Sequence, residues 1–196
     1  MGGYGIRMRS LDEIDAFLPG AKERLLTEPG KIVIMGNGLS IAPLEVYKIR
    51  QASGNTSDIT VVDLLNYRVL LRDLDSLKHS LDTAHVSMAS INIGSQNCRQ
   101  LLDAERLGEI RLISYAFGSG STPPEVQHAD LAINVMGPPP STLEEQLQCL
   151  NPDGELLSKN IGDDPIVPKG YTVRMIRSKG KQEAFGWLIE KEAGTT

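Results

Sequence analysis

At 196 residues the chain is long enough to bury one sizeable core, so a single domain over 1–196 is expected, with 1–30 as a helical lead-in and 31–196 as the core. A composition of 40% hydrophobic, 23% charged and 5% aromatic residues excludes a disordered or fibrous chain, and a formal charge of −5 offers no broad basic field, so a nucleic-acid partner is not expected. No apolar run approaches the roughly 18 residues of a membrane span and none follows Arg7 and Arg9 as in a signal peptide, so a cytoplasmic location is the expectation.

Leu11, Ile14, Phe17, Leu18, Leu25 and Leu26 recur at helical spacing and predict an amphipathic helix over 11–27, interrupted near Pro19-Gly20. Lys31–Met35 is a short, β-branched apolar run that reads as a buried strand and stops at Gly36-Asn37-Gly38, followed by a helix over about 42–52. Ile59–Asp63 repeats the strand pattern, and Tyr67–Leu81 returns to helical periodicity. In 82–109 a Ser/Asn-rich stretch, Ser87–Asn97, leads into a helix predicted over Cys98–Leu107 with Gly108 as C-cap, together an inserted helix pair. Ile110–Phe117, Asp130–Met136 and Glu155–Ser158 read as three more strands, and Ser141-Thr142-Leu143-Glu144 as the capping box of a helix ending near Leu150. Strand–helix alternation implies parallel pairing up to this point. Tyr171–Arg177 and Ala184–Glu190, joined by Ser178-Lys179-Gly180-Lys181, read as an antiparallel edge.

The chemistry concentrates at the glycine turn. A strand–turn–helix brings backbone amides to the carboxyl end of the first strand, where open parallel sheets bind ligands, and Gly36 and Gly38 permit close approach. Asp63, about 25 residues beyond Gly38, ends the second strand, where a carboxylate can accept both hydroxyls of a ribose. The plainer alternative is a tight turn plus an aspartate that caps the next helix.

This order of elements resembles the class I S-adenosylmethionine-dependent methyltransferases. The matching residues are Ile32-Val33-Ile34-Met35-Gly36-Asn37-Gly38-Leu39-Ser40 for the first strand and its turn, and Asp63 for the ribose acid. Asp130-Leu131 matches the opening of the fourth strand, and Leu150-Asn151-Pro152-Asp153-Gly154 the turn before the fifth. The resemblance implies an α/β, doubly wound, mostly parallel seven-stranded sheet of order 3-2-1-4-5-7-6 with a C-terminal antiparallel hairpin. It implies S-adenosylmethionine as cofactor, S-adenosylhomocysteine as product, and transfer of the methyl group to an acceptor that the motifs do not specify. Cofactor contacts would come from Gly36, Asn37, Gly38, Ser40, Asp63, Leu64, Phe117 and Gly118, with Leu64 and Phe117 sandwiching the adenine. Asn134, Met136, Gly137 and Pro138 would face the acceptor, and the same turn also reads as a stiff proline stop to the strand.

The chain departs from the family pattern in three places: Ile34 stands where an acid is usual, Ser40 at the third glycine position, and Phe117-Gly118-Ser119-Gly120 where an acid commonly contacts the adenine amino group. These departures keep open a non-catalytic binding or sensing domain of the same architecture. An NAD(P)-binding oxidoreductase is disfavoured by the antiparallel tail and by Ser40-Ile41 at the last glycine of that fingerprint. His79, His85 and His128 are weak candidate bases, and Tyr115 and Trp187 read as packing. Cys98 and Cys149 read as buried free thiols with no histidine at ligand spacing, so no metal is expected.

Overall fold

The computed structural model describes residues 10–55, 57–77, 88–159, 161, 165–178 and 185–192. The candidate bases His79 and His85, and the hairpin joint beyond Ser178, lie outside the described residues.

The lead-in forms two short helices, α1 (Leu11–Phe17) and α2 (Ala21–Thr27), broken at Pro19-Gly20, where Gly20 takes φ +80°. A reciprocal capping box starts α1. The Glu13 backbone N–H donates to Ser10 Oγ at 3.3 Å, and the Ser10 N–H donates to the Glu13 carboxylate at 2.8 Å. Ser10→Ala is expected to cost about 1 kcal/mol, which is roughly 2 to 4 °C in Tm for a chain of this size, read by thermal melting.

β1 (Ile32–Met35) is buried on both faces, which is why its sequence is a continuous apolar run. It pairs in parallel with β2 (Ile59–Asp63) on one side and with β4 (Ala129–Asn134) on the other. β3 (Arg111–Ser114) extends β2, and β5 (Leu150–Ser158) extends β4, both in parallel. β7 (Phe185–Lys191) runs antiparallel between β5 and β6 (Tyr171–Arg177), giving the order β3-β2-β1-β4-β5-β7-β6. The expected seven-stranded sheet is therefore present, and its strand order reverses between β1 and β4, the switch point at which such sheets open a crevice.

The two sheet faces are covered unequally. Ile32, Ile34, Val61, Ile133 and Leu157 pack under α1, α2, α3 (Ala42–Ala52), α4 (Tyr67–Leu77) and α5 (Met88–Arg106). Val33, Met35, Val62, Ala132 and Leu156 lie against Val126 and the six-residue α6 (Leu143–Gln148). Arg50 of α3 is buried among the helices and donates to the carbonyls of Leu25 (2.8 Å) and Glu28 (2.5 Å), satisfying the C-terminal end of α2.

Five sequence expectations are corrected here. The helix expected to begin at Cys98 begins at Met88, so a single helix stands in 88–106 among the described residues instead of an inserted pair. Ile91, Gly94, Ser95 and Cys98 form its buried stripe, and Gly94 lies against Leu39 and Leu74, so packing overrides the weak propensity of the Ser/Asn-rich segment. The capping box expected at Ser141–Glu144 is absent: α6 carries no side-chain cap hydrogen bond, and the Thr142 hydroxyl turns back to donate to the Pro139 carbonyl (2.9 Å), which also accepts from Thr142 N at 3.0 Å. β3 ends at Ser114 and β4 at Asn134, not at Phe117 and Met136, since both chains bend into loops at the carboxyl edge. β5 starts five residues earlier than Glu155, at Leu150. There Asp130 accepts from Lys31 N (2.6 Å) and Asn151 Nδ2 (2.8 Å), and this clamp holds an irregular stretch of β5 against the start of β4.

No helix among the described residues is long and apolar enough to cross a membrane.

Candidate functional site

The site is built at the carboxyl ends of β1, β2, β3 and β4. Beyond Met35 the chain turns through Gly36 (φ +69°) and Gly38 (φ +58°), both in the left-handed region that suits glycine. The two glycines serve different ends. A Cβ on Gly36 would collide with the backbone N and Cα of Gly137, and a Cβ on Gly137 would fall 2.7 Å from Gly36 Cα, so the β1 turn and the loop after β4 cross backbone to backbone. A Cβ on Gly38 meets no heavy atom within 4 Å, leaving open space over that residue.

Asp63, the last residue of β2, closes on this turn. Its Oδ2 accepts from Gly38 N at 2.7 Å and its Oδ1 from Leu65 N at 3.1 Å. Burial pushes its carboxyl above the usual aspartate range, and the amides of Gly38, Leu65 and Leu64 pull the other way. Gly38 and Asp63 thus meet in space, and the carboxylate bonds across to the glycine turn, a contact that neither sequence reading anticipated.

The turn is held from several elements. The Tyr67 hydroxyl, at the start of α4, donates to the Gly38 carbonyl at 2.8 Å, and burial pushes that phenol upward so that it stays a donor. Asn97 of α5 donates to the Leu39 carbonyl at 2.9 Å. Asn37 is buried, donates through Nδ2 to the Ser40 carbonyl at 3.0 Å, and leaves Oδ1 without a hydrogen-bond partner. Ser40 Oγ accepts from Ala42 N at 3.1 Å and so serves the first turn of α3. Tyr67 and Asn97 carried no sequence signal, because only the docking of α4 and α5 brings them to the turn.

Apolar groups stand in the loops that follow β2, β3 and β4. Leu64 is 74% exposed after β2 and Met136 is 50% exposed after β4. Phe117 is half-buried and packs edge-on against Tyr115, centroids 5.3 Å apart. Gly118, in the loop after β3, donates its N–H to the carboxylate of Glu145 on α6, which also accepts from the Tyr115 hydroxyl. Sequence reasoning missed Glu145.

Of the acceptor-side candidates, Asn134 is wholly buried and spent on its own loop. Its Nδ2 donates to the Pro138 carbonyl (3.0 Å) and to Gln146 Oε1 (2.9 Å), and its Oδ1 accepts from Gly137 N (3.1 Å). Gly137 packs on Gly36, and Met136 is the side chain of this turn that reaches solvent. His128 precedes β4 at φ +61°, at the amino end of the sheet and away from this edge. Cys98 and Cys149 are buried free thiols, pushed up by burial to about 11 and about 12, so neither is a ready thiolate. Among the described residues no group of three or more His, Cys, Asp or Glu side chains is placed to hold a metal ion.

No protein-family model and no curated protein matches the sequence. Solved structures do. A methyltransferase from Geobacter sulfurreducens is 12% identical, with 95% of this chain and 82% of that one covered at a TM-score of 0.52. The chain has the class I methyltransferase fold. Two further neighbours are a precorrin-6y C5,15-methyltransferase from Geobacter metallireducens (10% identity, 97% and 92% covered, TM-score 0.48) and the spermidine synthase of Thermotoga maritima (10% identity, 93% and 59% covered, TM-score 0.48).

Proposed function

We propose that this class I methyltransferase fold binds S-adenosylmethionine in the crevice over Gly38 and transfers its methyl group to an acceptor that enters from the β4 side. The observation that carries the reading is the Asp63 carboxylate set 2.7 Å from the Gly38 amide, under a glycine that leaves the space above it open. A carboxylate at the end of β2 beside an open glycine turn, at the point where strand order reverses, fits the hydroxyl pair of a ribose.

In this reading Gly36, Asn37, Gly38 and Ser40 shape the cradle, Asp63 orients the ribose, and Leu64, Phe117 and Gly118 receive the base. When bound, the sulfonium supplies an electrophilic methyl group, and this chain's part is to hold it in line with the acceptor. Alignment alone carries a large share of such a rate, and the geometry does not call for a catalytic base. Met136 and Gly137 would edge the acceptor path, with the buried Asn134 and Pro138 stiffening that edge from below. The inward turn of Asn134 favours, as a second reading, a domain that binds the cofactor and lacks transfer activity.

Isothermal titration with S-adenosylmethionine, S-adenosylhomocysteine and NAD tests the proposal. Binding of the first two and not of NAD is the expected result; NAD binding alone would replace the reading with a dinucleotide one. Release of S-adenosylhomocysteine from the bound cofactor in the presence of acceptors separates transfer from silent binding.

A further inference from the structure

β6 pairs with β7 alone and closes one end of the sheet. Its register fixes which of its backbone groups are spent. Gly170 lies opposite Glu192, one step before the paired stretch, and the Gly170 carbonyl accepts from Glu192 N at 2.8 Å. Antiparallel ladders alternate bonded and non-bonded pairs. Thr172, Arg174 and Ile176 therefore turn their N–H and C=O groups to β7, while Val173, Met175 and Arg177 turn theirs away from the sheet. Among the described residues no partner meets these outward groups.

The same strip carries one sign of charge. Positions 165–182 hold Lys169, Arg174, Arg177, Lys179 and Lys181 and no acid, in a chain of formal charge −5. Lys169 and Arg177 are exposed, and Arg174 reaches Glu190 of β7 at 3.3 Å. Arg177 sets its Nε against Met175 Sδ at 3.1 Å, so its side chain shares the face of Met175. On that face Val173 packs on the apolar layer of the sheet, and Met175 is 40% exposed.

We propose that the open edge of β6 takes up an extended acidic segment of another protein as an added strand. The outward row alternates donors and acceptors, which a second backbone strand matches bond for bond, whereas a phosphate chain offers acceptors only. Basic side chains on an edge guard it against a second copy of the same strand, because like charges would then face each other. Guards of a single sign leave an acidic strand unopposed and attract it. Run antiparallel, the incoming segment sets one side chain beside Arg177 and the next two on that face beside Met175 and Val173. The pattern recognised is therefore acid-x-apolar-x-apolar.

The test is fluorescence titration of a labelled peptide of repeat Glu-Thr-Val-Thr-Val into the full chain, beside a counterpart with lysine for glutamate and a single-stranded oligonucleotide, with amide exchange followed residue by residue. The acidic peptide should bind at least about tenfold more tightly than the basic one. It should protect the amides of Val173, Met175 and Arg177, while those of Thr172, Arg174 and Ile176, already bonded to β7, change little. Met175→Pro removes one outward N–H and spares the bonds to β7, so the melting temperature should hold while affinity falls about fivefold or more. Met175→Leu should bind as the unmodified protein does, and Arg177→Glu should reverse the preference between the two peptides. If Met175→Pro melts early, the protection pattern in the unmodified protein decides alone. Failure of the acidic peptide to bind, equal binding of both peptides, or protection elsewhere than along β6 would overturn the inference. Tighter binding of the oligonucleotide would overturn it in favour of a nucleic-acid surface, and none of these outcomes touches the nucleoside reading.

Discussion

Gly36→Ala is expected to destabilise the protein by about 4 kcal/mol or more, a large share of the roughly 5 to 15 kcal/mol that holds a domain folded. The new Cβ would strike the backbone of Gly137, and its distance from the carbonyl carbon of Met136 would be 2.7 Å. Backbone atoms cannot rotate out of the way as a side-chain tip can, so β1's turn and the loop after β4 would have to separate. The residue would also carry a φ of +69°, which costs a non-glycine residue roughly 1 kcal/mol by itself. Gly38→Ala is the control. It bears the same backbone penalty at φ +58° but meets no atom within 4 Å, so it should melt only a few degrees below the unmodified protein. Its methyl group would project into the crevice, so ligand affinity should fall while the fold survives. Denaturant melts of the two variants decide the matter, and equal midpoints would show that the Gly36–Gly137 crossing is not the constraint described.

Asp63→Ala should weaken S-adenosylhomocysteine binding by roughly 10- to 100-fold, the loss expected from one or two charge-assisted hydrogen bonds. The substitution also releases the Gly38 and Leu65 amides, so part of the loss could arise from a loosened turn. Asp63→Asn resolves this, because its amide oxygen still accepts from Gly38 N. The pH dependence adds a second readout. Binding to hydroxyls needs the carboxylate, so affinity should fall as pH drops through the carboxyl's folded-state value, which burial raises above the usual aspartate range. Stability runs the opposite way. A carboxyl whose folded value is raised contributes stability fully below the unfolded value and loses it as pH rises through the folded one. The ligand-free protein should therefore gain from the protonation that weakens binding, and both trends should vanish in Asp63→Asn. A variant that melts earlier yet binds as tightly as before would leave Asp63 as a structural clamp and remove the ribose assignment.

The order of strands and helices, the antiparallel tail and the approach of Asp63 to the glycine turn were legible in the residues, because each rests on a local pattern. Ile32–Met35 and Ile59–Asp63 are apolar on both faces, which a strand buried between helices requires, and the lead-in shows the period of a helix with one covered side. An acid closing the second strand of such a sheet falls next to the end of the first by parallel register alone, Ile32 opposite Ile59 and Met35 opposite Val62. Tertiary structure decided the rest. Gly36 owes its identity to Gly137, in a loop far along the chain, and Asn134 turns inward because Pro138 and Gln146 offer it partners there. The Ser/Asn-rich stretch Ser87–Asn97 places the start of the next helix at Cys98 by composition, yet from Met88 onward it is helix because Ile91, Gly94 and Cys98 find a surface to pack on. Glu145 bore no signal at all, since its meeting with Gly118 depends on how α6 lies against the β3 loop. Periodicity encodes which side of an element is buried, and burial is what drives the element to form; which polar atoms then meet is set by the spacing of whole elements, which no window of neighbouring residues contains.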